Sequence, residues 1–217
     1  MHPPLNTMIR YISDQHFSHR NIIRYDDRPF NSVEEMDEAM ISLWNDEVSE
    51  KDTTYILGDV IWQSREEDWE RILKALKGKK FIVKGNHDET STLKKLAKNG
   101  VIEGWEQQTI VSDNGRKVLL NHSPMPFFIN QHHDKWYHLY GHVHTSFDYK
   151  MILSLQRSIE DLYQHPIEMY NCGCMLYYMS YIPQTLDWIA EKGREEFNRR
   201  IANMNDKDYT GRQHDNR

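Results

Sequence analysis

The chain has 217 residues, enough for one domain with a full core. Apolar residues make up 38% and charged residues 28%, and no apolar run approaches the roughly 20 residues a membrane helix needs, so a membrane-spanning helix is not expected. The net charge of −6 argues against tight non-specific nucleic-acid binding, but it leaves a nucleotide or a nucleic-acid end open as substrate, because bound metal ions supply their own positive charge.

The N-terminus has neither a basic n-region nor an apolar h-region, so no signal peptide and a cytoplasmic location are expected. Residues 8–13 read as the first strand, rich in β-branched and aromatic side chains, and run into Asp14 with His16 two places on. A long loop, residues 14–31, carries His19, Arg20, Asn21, Arg28 and Pro29. Ser32-Val33-Glu34-Glu35 is a capping box opening a helix whose apolar stripe is Met36, Met40, Ile41, Leu43 and Trp44. The second strand, residues 53–57, ends at Gly58-Asp59. Ser64-Arg65-Glu66-Glu67 is a second capping box, before a helix through Trp69, Ile72, Leu73 and Leu76 that Gly78 ends. The third strand, residues 81–83, leads into Gly85-Asn86-His87-Asp88, and a short basic helix near residues 91–98 stops at Gly100.

Strand–helix alternation then gives way to a hairpin, residues 109–120, around the Asn114-Gly115 turn. Its second strand ends at His122, and a further run, residues 137–141, ends at His142 with His144 two on. Leu153, Leu155, Ile159 and Leu162 predict a short helix within residues 145–168. Residues 170–181 read as a strand or strand pair, and Pro183 leads into a final helix near residues 184–203. The expected organisation is an extension at 1–7, one domain at 8–203 and a polar tail at 204–217. It is an α/β fold with two sheets rather than one purely parallel sheet.

Five apolar runs thus end in residues that can bind a metal, and in an open α/β sheet the ligand lies beyond the carboxyl ends of the strands. Asp-x-His and His-x-His each put two ligands on one side of an extended segment. The donors are all O and N, a set that suits Mn, Fe, Zn or Co better than Cu(I) or an iron–sulfur cluster. The five blocks in order suggest a two-metal centre for phosphate esters, in which the ions polarise the phosphoryl oxygens and a bridging hydroxide attacks phosphorus in line. His87 is placed to protonate the leaving alkoxide, with Asp88 orienting its ring. Cys172 and Cys174, separated by one glycine, read as two small apolar residues of a reduced core rather than as further ligands.

Asp14-Gln15-His16, Gly58-Asp59, Gly85-Asn86-His87-Asp88, His122 and Gly141-His142-Val143-His144 resemble the calcineurin-like metallophosphoesterase superfamily, block for block and in order. The run from Asp14 through His19, Arg20 and Asn21 to Arg28-Pro29-Phe30 is similar to a small bacterial and phage branch of it. The resemblance implies a two-sheet mixed β-sandwich flanked by helices, four layers in all, with a dinuclear centre at one end. By that analogy one metal takes Asp14, His16, Asp59 and His144, the other takes Asp59, Asn86, His122 and His142, and His87 is the general acid. Two divalent ions are implied, Mn first, with Fe, Zn, Ni or Co as alternatives.

His19, Arg20, Asn21 and Arg28 are the candidate substrate contacts, although Arg28 could instead pair with Asp26 or Asp27. Residues 132–136 could rim the pocket or form an exposed loop, and Lys94, Lys95 and Lys98 read as a solvated helix face. The expected activity is hydrolysis of a phosphodiester, of nucleotide type or a cyclic nucleotide. The alternatives are a phosphomonoesterase acting on a small ester, or a silent binding scaffold of the same fold. No membrane contact and no obligate protein partner are expected.

Overall fold

The computed structural model describes residues 7–62 and 65–204. The expected extension and tail therefore fall, but for Thr7 and Met204, outside the described residues, as does the Ser64 cap.

The first sheet is wholly parallel and consecutive: β1 (Ile9–Ile12), β2 (Thr53–Ile56), β3 (Lys79–Val83) and β4 (Gly104–Glu106). Its register pairs Ile12 with Ile56, Ile56 with Ile82 and Ile82 with Trp105. Parallel strands are covered on both faces, which explains their near-continuous apolar runs. The crossovers are α1 (Ile22–Tyr25) with α2 (Val33–Glu47), then α3 (Glu66–Ala75) and α4 (Thr90–Lys98). Ser32 accepts the Glu35 amide at 3.1 Å as a capping box requires, and the Glu35 carboxylate accepts the Asn31 amide at 2.8 Å. α2 buries Met36, Met40 and Trp44; α3 buries Trp69, Ile72 and Leu73.

The second sheet has the order β5 (Gln108–Asp113), β6 (Arg116–Asn121), β7 (Trp136–Tyr140) and β8 (Met169–Asn171). β5 and β6 form the antiparallel hairpin, with Asn114 and Gly115 at φ 48° and 78° in its turn. β6, β7 and β8 are parallel, so the sheet is mixed. The crossover from β7 to β8 is α5 (Phe147–Tyr163), longer than the short helix expected. It buries Tyr149, Leu153, Gln156 and Ile159 and leaves Leu155 and Leu162 exposed. α6 (Leu186–Asn203), capped by Thr185, closes the fold.

The elements depart from expectation in three places, the first being α1, which lies inside the loop read over residues 14–31. β4 was not foreseen, because three residues offer too little period to read. The strand or strand pair expected over residues 170–181 shrinks to Met169–Asn171. Beyond it Leu176, Met179 and Ile182 donate to Gly173, Leu176 and Met179 in successive turns, burying Leu176, Tyr178 and Met179 while Tyr177 is exposed.

Candidate metal centre

The two sheets meet at the carboxyl ends of their strands. Ser13, just past β1, donates to Cys172 (2.8 Å), and Cys174 donates back to Ser13 (2.9 Å), stitching the first sheet to the end of β8. The β1–β2 ladder also continues past its strands, as Asp14 donates to Gly58 (3.1 Å) and His16 to Asp59 (3.0 Å). In the second sheet Gly141 donates to His122 (2.8 Å). All five sequence blocks are thereby drawn to one edge.

The backbone there is strained in a consistent way. Asp14, His16, Asp59, His142 and His144 have φ values of 57°, 51°, 52°, 72° and 47°. Left-handed backbone costs a non-glycine residue on the order of 1 kcal/mol, and it persists where surrounding contacts over-determine it. Two glycines supply that determination. Gly58 has φ 88°, and a Cβ there would lie 2.6 Å from both Gly85 and the His122 ring. A Cβ on Gly141 would lie 1.9 Å from Ser13 Oγ and 2.5 Å from the Asp14 carboxylate.

The side chains converge as acceptors. Two trios, Asp14–His16–His144 and Asp14–Asp59–His122, each bring ligand atoms within 4.8 Å of one another. Asp59 Oδ2 lies 3.7 Å from His16 Nε2 and 3.4 Å from His122 Nε2, between the two groups. Asn86 Oδ1 lies 2.9 Å from His122 Nε2 and 2.9 Å from His142 Nδ1. The Asp14 carboxylate accepts the His142 amide at 3.1 Å.

The tautomers follow from the outer contacts. His122 Nδ1 faces the Leu57 carbonyl at 2.7 Å and His144 Nδ1 faces Asp26 at 2.8 Å. Those acceptors place the proton on Nδ1 and turn each Nε2 lone pair inward. His144 Nε2 then sits 3.3 Å from His16 Nε2, while the buried His16 Nδ1 has no hydrogen-bond partner among the described residues. Nitrogen and oxygen donors converging at these distances are the chemistry of a divalent-cation site, so the residues present fit the group that the fold implies.

Titration points the same way. Burial opposes charging His122, yet the hydrogen bond to Asp59 and the nearby Asp14 raise it to about 9. Burial also opposes Asp59, but its contacts with His122 hold it well below the ordinary carboxylate range. Burial and the adjacent His144 push His16 down to about 3. A proton on His122 thus stands where a cation would satisfy the same carboxylate.

Several expected residues lie elsewhere or act differently. Asp88 does not orient the His87 ring. It is buried and accepts the backbone amides of Gly85 (2.8 Å), Asp59 (3.0 Å) and Val60 (3.1 Å), three otherwise orphaned donors in the bent segments. Arg28 is not a substrate contact, because its side chain is 0% exposed and its donors are spent. It donates to the carbonyls of Gln15 (2.7 Å) and Asp14 (2.9 Å) and to Asp26 (2.9 Å). Arg20 and Asn21 are exposed, with Asn21 starting α1. His19 is buried, its ring stacked on Trp62 at 4.0 Å and 6°, and burial lowers it to about 4. His87 is at the open side, 42% exposed, with Nε2 4.0 Å from Asp59 Oδ2. The thiols of Cys172 and Cys174 are free, buried and raised by burial, Cys174 to about 12. His132 packs against Tyr163, away from the centre.

Sequence reasoning missed Asp26 as a partner of His144, 118 residues away, and it missed Trp62. Asp26 was legible only as a carboxylate near Arg28. Trp62, three residues after Asp59, carried no motif.

The sequence pattern of the family described as calcineurin-like phosphoesterase matches residues 9–167. An uncharacterized protein of Methanocaldococcus jannaschii, MJ1445, is 33% identical over 192 residues, which are 86% of this chain and 93% of that one. A crystal structure of the protein of unknown function AQ665 from Aquifex aeolicus aligns with 86% of this chain and 100% of its own, with a TM-score of 0.63 and 24% identity, a likeness of fold. Among the described residues no helix is long and apolar enough to cross a membrane.

Proposed function

We propose, for a chain that belongs to the calcineurin-like phosphoesterase family and is thereby a metal-dependent hydrolase of phosphate esters, that it cleaves a phosphodiester of nucleotide type at a dinuclear centre. The observation that carries this reading is the convergence of Asp14, His16, Asp59, Asn86, His122, His142 and His144, with Asp59 between the two groups. One ion would be held by Asp14, His16, Asp59 and His144, the other by Asp59, Asn86, His122 and His142. Mn²⁺ is the first candidate, and Fe, Zn, Ni or Co suit the same donors. When bound, such ions polarise phosphoryl oxygens and make water acidic enough to act as a nucleophile at neutral pH.

The chain's own residues do the rest. The Leu57 carbonyl and Asp26 keep His122 and His144 in the tautomer that presents Nε2. His87, beside Asp59 and open to solvent, holds a proton where a leaving oxygen would depart on the open side. Preference for a diester is supported by the fate of Arg28, whose donors all serve the protein. A monoester dianion asks for more cationic contacts than a diester monoanion, and this loop's buried arginine does not supply them.

The test is hydrolysis of bis-p-nitrophenyl phosphate against p-nitrophenyl phosphate by metal-stripped protein, with Mn²⁺, Ni²⁺, Co²⁺ or Zn²⁺ added back. Metal-dependent turnover with the diester preferred is expected. His87→Ala should keep its metal and lose about 10²–10⁴-fold in turnover on a poorly activated ester. Bound metal with no turnover of either ester would instead favour a silent scaffold, and monoester preference would overturn the substrate class.

A further inference from the structure

With Asp88 committed to three backbone amides, the His87 ring has no side-chain hydrogen bond among the described residues to fix its direction; its backbone amide is held by Asp59 (2.9 Å), and its Nε2 stands 4.0 Å from Asp59, beyond hydrogen-bond reach. A half-exposed imidazole held by hydrogen bonds only at its main chain explores several rotamers, and an acid that must meet a leaving oxygen loses rate with each unproductive one. Two rings limit that freedom: His16 meets the His87 ring edge-on at 5.9 Å, and Trp62 packs closer. The Trp62 indole contacts the His87 ring at 4.6 Å and 58°, and it is itself stacked flat on the buried His19 at 4.0 Å. The Trp62 amide donates to the Phe17 carbonyl at 2.9 Å, tying it to the loop that follows Asp14 and His16. The indole is therefore anchored through its main chain and packed against histidine rings from two different segments.

We propose that Trp62, backed by His19, is a positioning residue that holds the His87 ring in its proton-donating direction. The inference rests on the reading of His87 as the acid, and it reassigns His19 from substrate contact to support for the indole. A half-buried tryptophan near a phosphoesterase centre would otherwise suggest a stacking platform for a base. The contact with His19 and with His87 leaves that use to a lesser share of the ring.

Leaving-group dependence separates positioning from plain structural damage, since protonation matters most for the poorer leaving group. Turnover of diphenyl phosphate and of bis-p-nitrophenyl phosphate would be compared in Trp62→Ala, the more conservative Trp62→Phe and His87→Gln. Trp62→Ala should lose about tenfold more kcat on the phenyl than on the p-nitrophenyl ester, with metal content and KM close to wild type, and Trp62→Phe should recover most of that difference. In metal-free protein the His87 Hε1 resonance, assigned by its loss in His87→Gln, should move in both Trp62 variants. Leaving-group-dependent loss in His87→Gln but equal losses on both esters in Trp62→Ala would overturn this proposal alone. Equal losses on both esters in His87→Gln would overturn the acid role and the proposal with it. A His87 resonance unmoved in both Trp62 variants would also overturn it.

Discussion

The His122 side and the His144 side of the centre present the same atom, Nε2, but brace it by different means. His122 leans on the Leu57 main-chain carbonyl at the end of β2, and the bare Gly58 lets ring and backbone approach. His144 leans on Asp26, a side chain from the loop after β1, which is held in turn by Arg28. Arg28 then reaches back to the carbonyls of Asp14 and Gln15, so this brace closes on the same strand end that carries Asp14. One side is thus built into the sheet ladder. The other depends on a relay of two buried side chains, which substitution can alter without breaking a sheet.

The largest expected effect would erase the comparison altogether. Asp59 stands between the two sides, so Asp59→Asn should take metal-dependent turnover to background and weaken binding at both sites, as read by titration calorimetry. Loss at one site only would show that Asp59 is not shared. Arg28→Ala should be the most damaging change to the His144 side. It leaves the Asp26 carboxylate and two carbonyls without their buried donor, a loss of about 3–5 kcal/mol by urea denaturation. A stable Arg28→Ala protein with a raised KM would return Arg28 to the substrate.

Asp26→Asn sharpens the contrast further. It keeps the volume of the brace but weakens its pull on His144 Nδ1, and metal affinity on that side should fall about 10–100-fold while the other side holds. Equal weakening of both sites would mean the two braces are coupled. The smallest effect on folding belongs to the exposed end of the same loop. Arg20→Ala should change stability by less than about 0.5 kcal/mol. As a test of the expected substrate contact, KM should rise with kcat little changed; an unaltered KM would remove Arg20 from the site.

Local pattern carried much of the fold. Buried strands ending at Asp14, Asp59, Asn86, His122 and His142 could be read because a strand covered on both faces must be apolar along its length. The Ser32 cap and the Asn114-Gly115 turn were legible because each is satisfied within a few residues. The stretch after Asn171 was misread for the same reason. Leu176, Tyr178 and Met179 are buried there in turns, and an apolar run without clear period looks like a strand.

The sequence by itself determined which residues could assemble a metal centre, since short motifs at strand ends record donor type and spacing. Only the tertiary structure decided what each neighbour does. Asp88 and Arg28 sit beside candidate site residues in the chain, yet they are turned to main-chain groups, because buried orphan amides and carbonyls must be satisfied wherever the backbone bends away from its ladder. Asp26 and Trp62, without a motif, came to face His144 and His87 across 118 and 25 positions. Contacts of that range depend on how two sheets close against each other, and no local spacing encodes them.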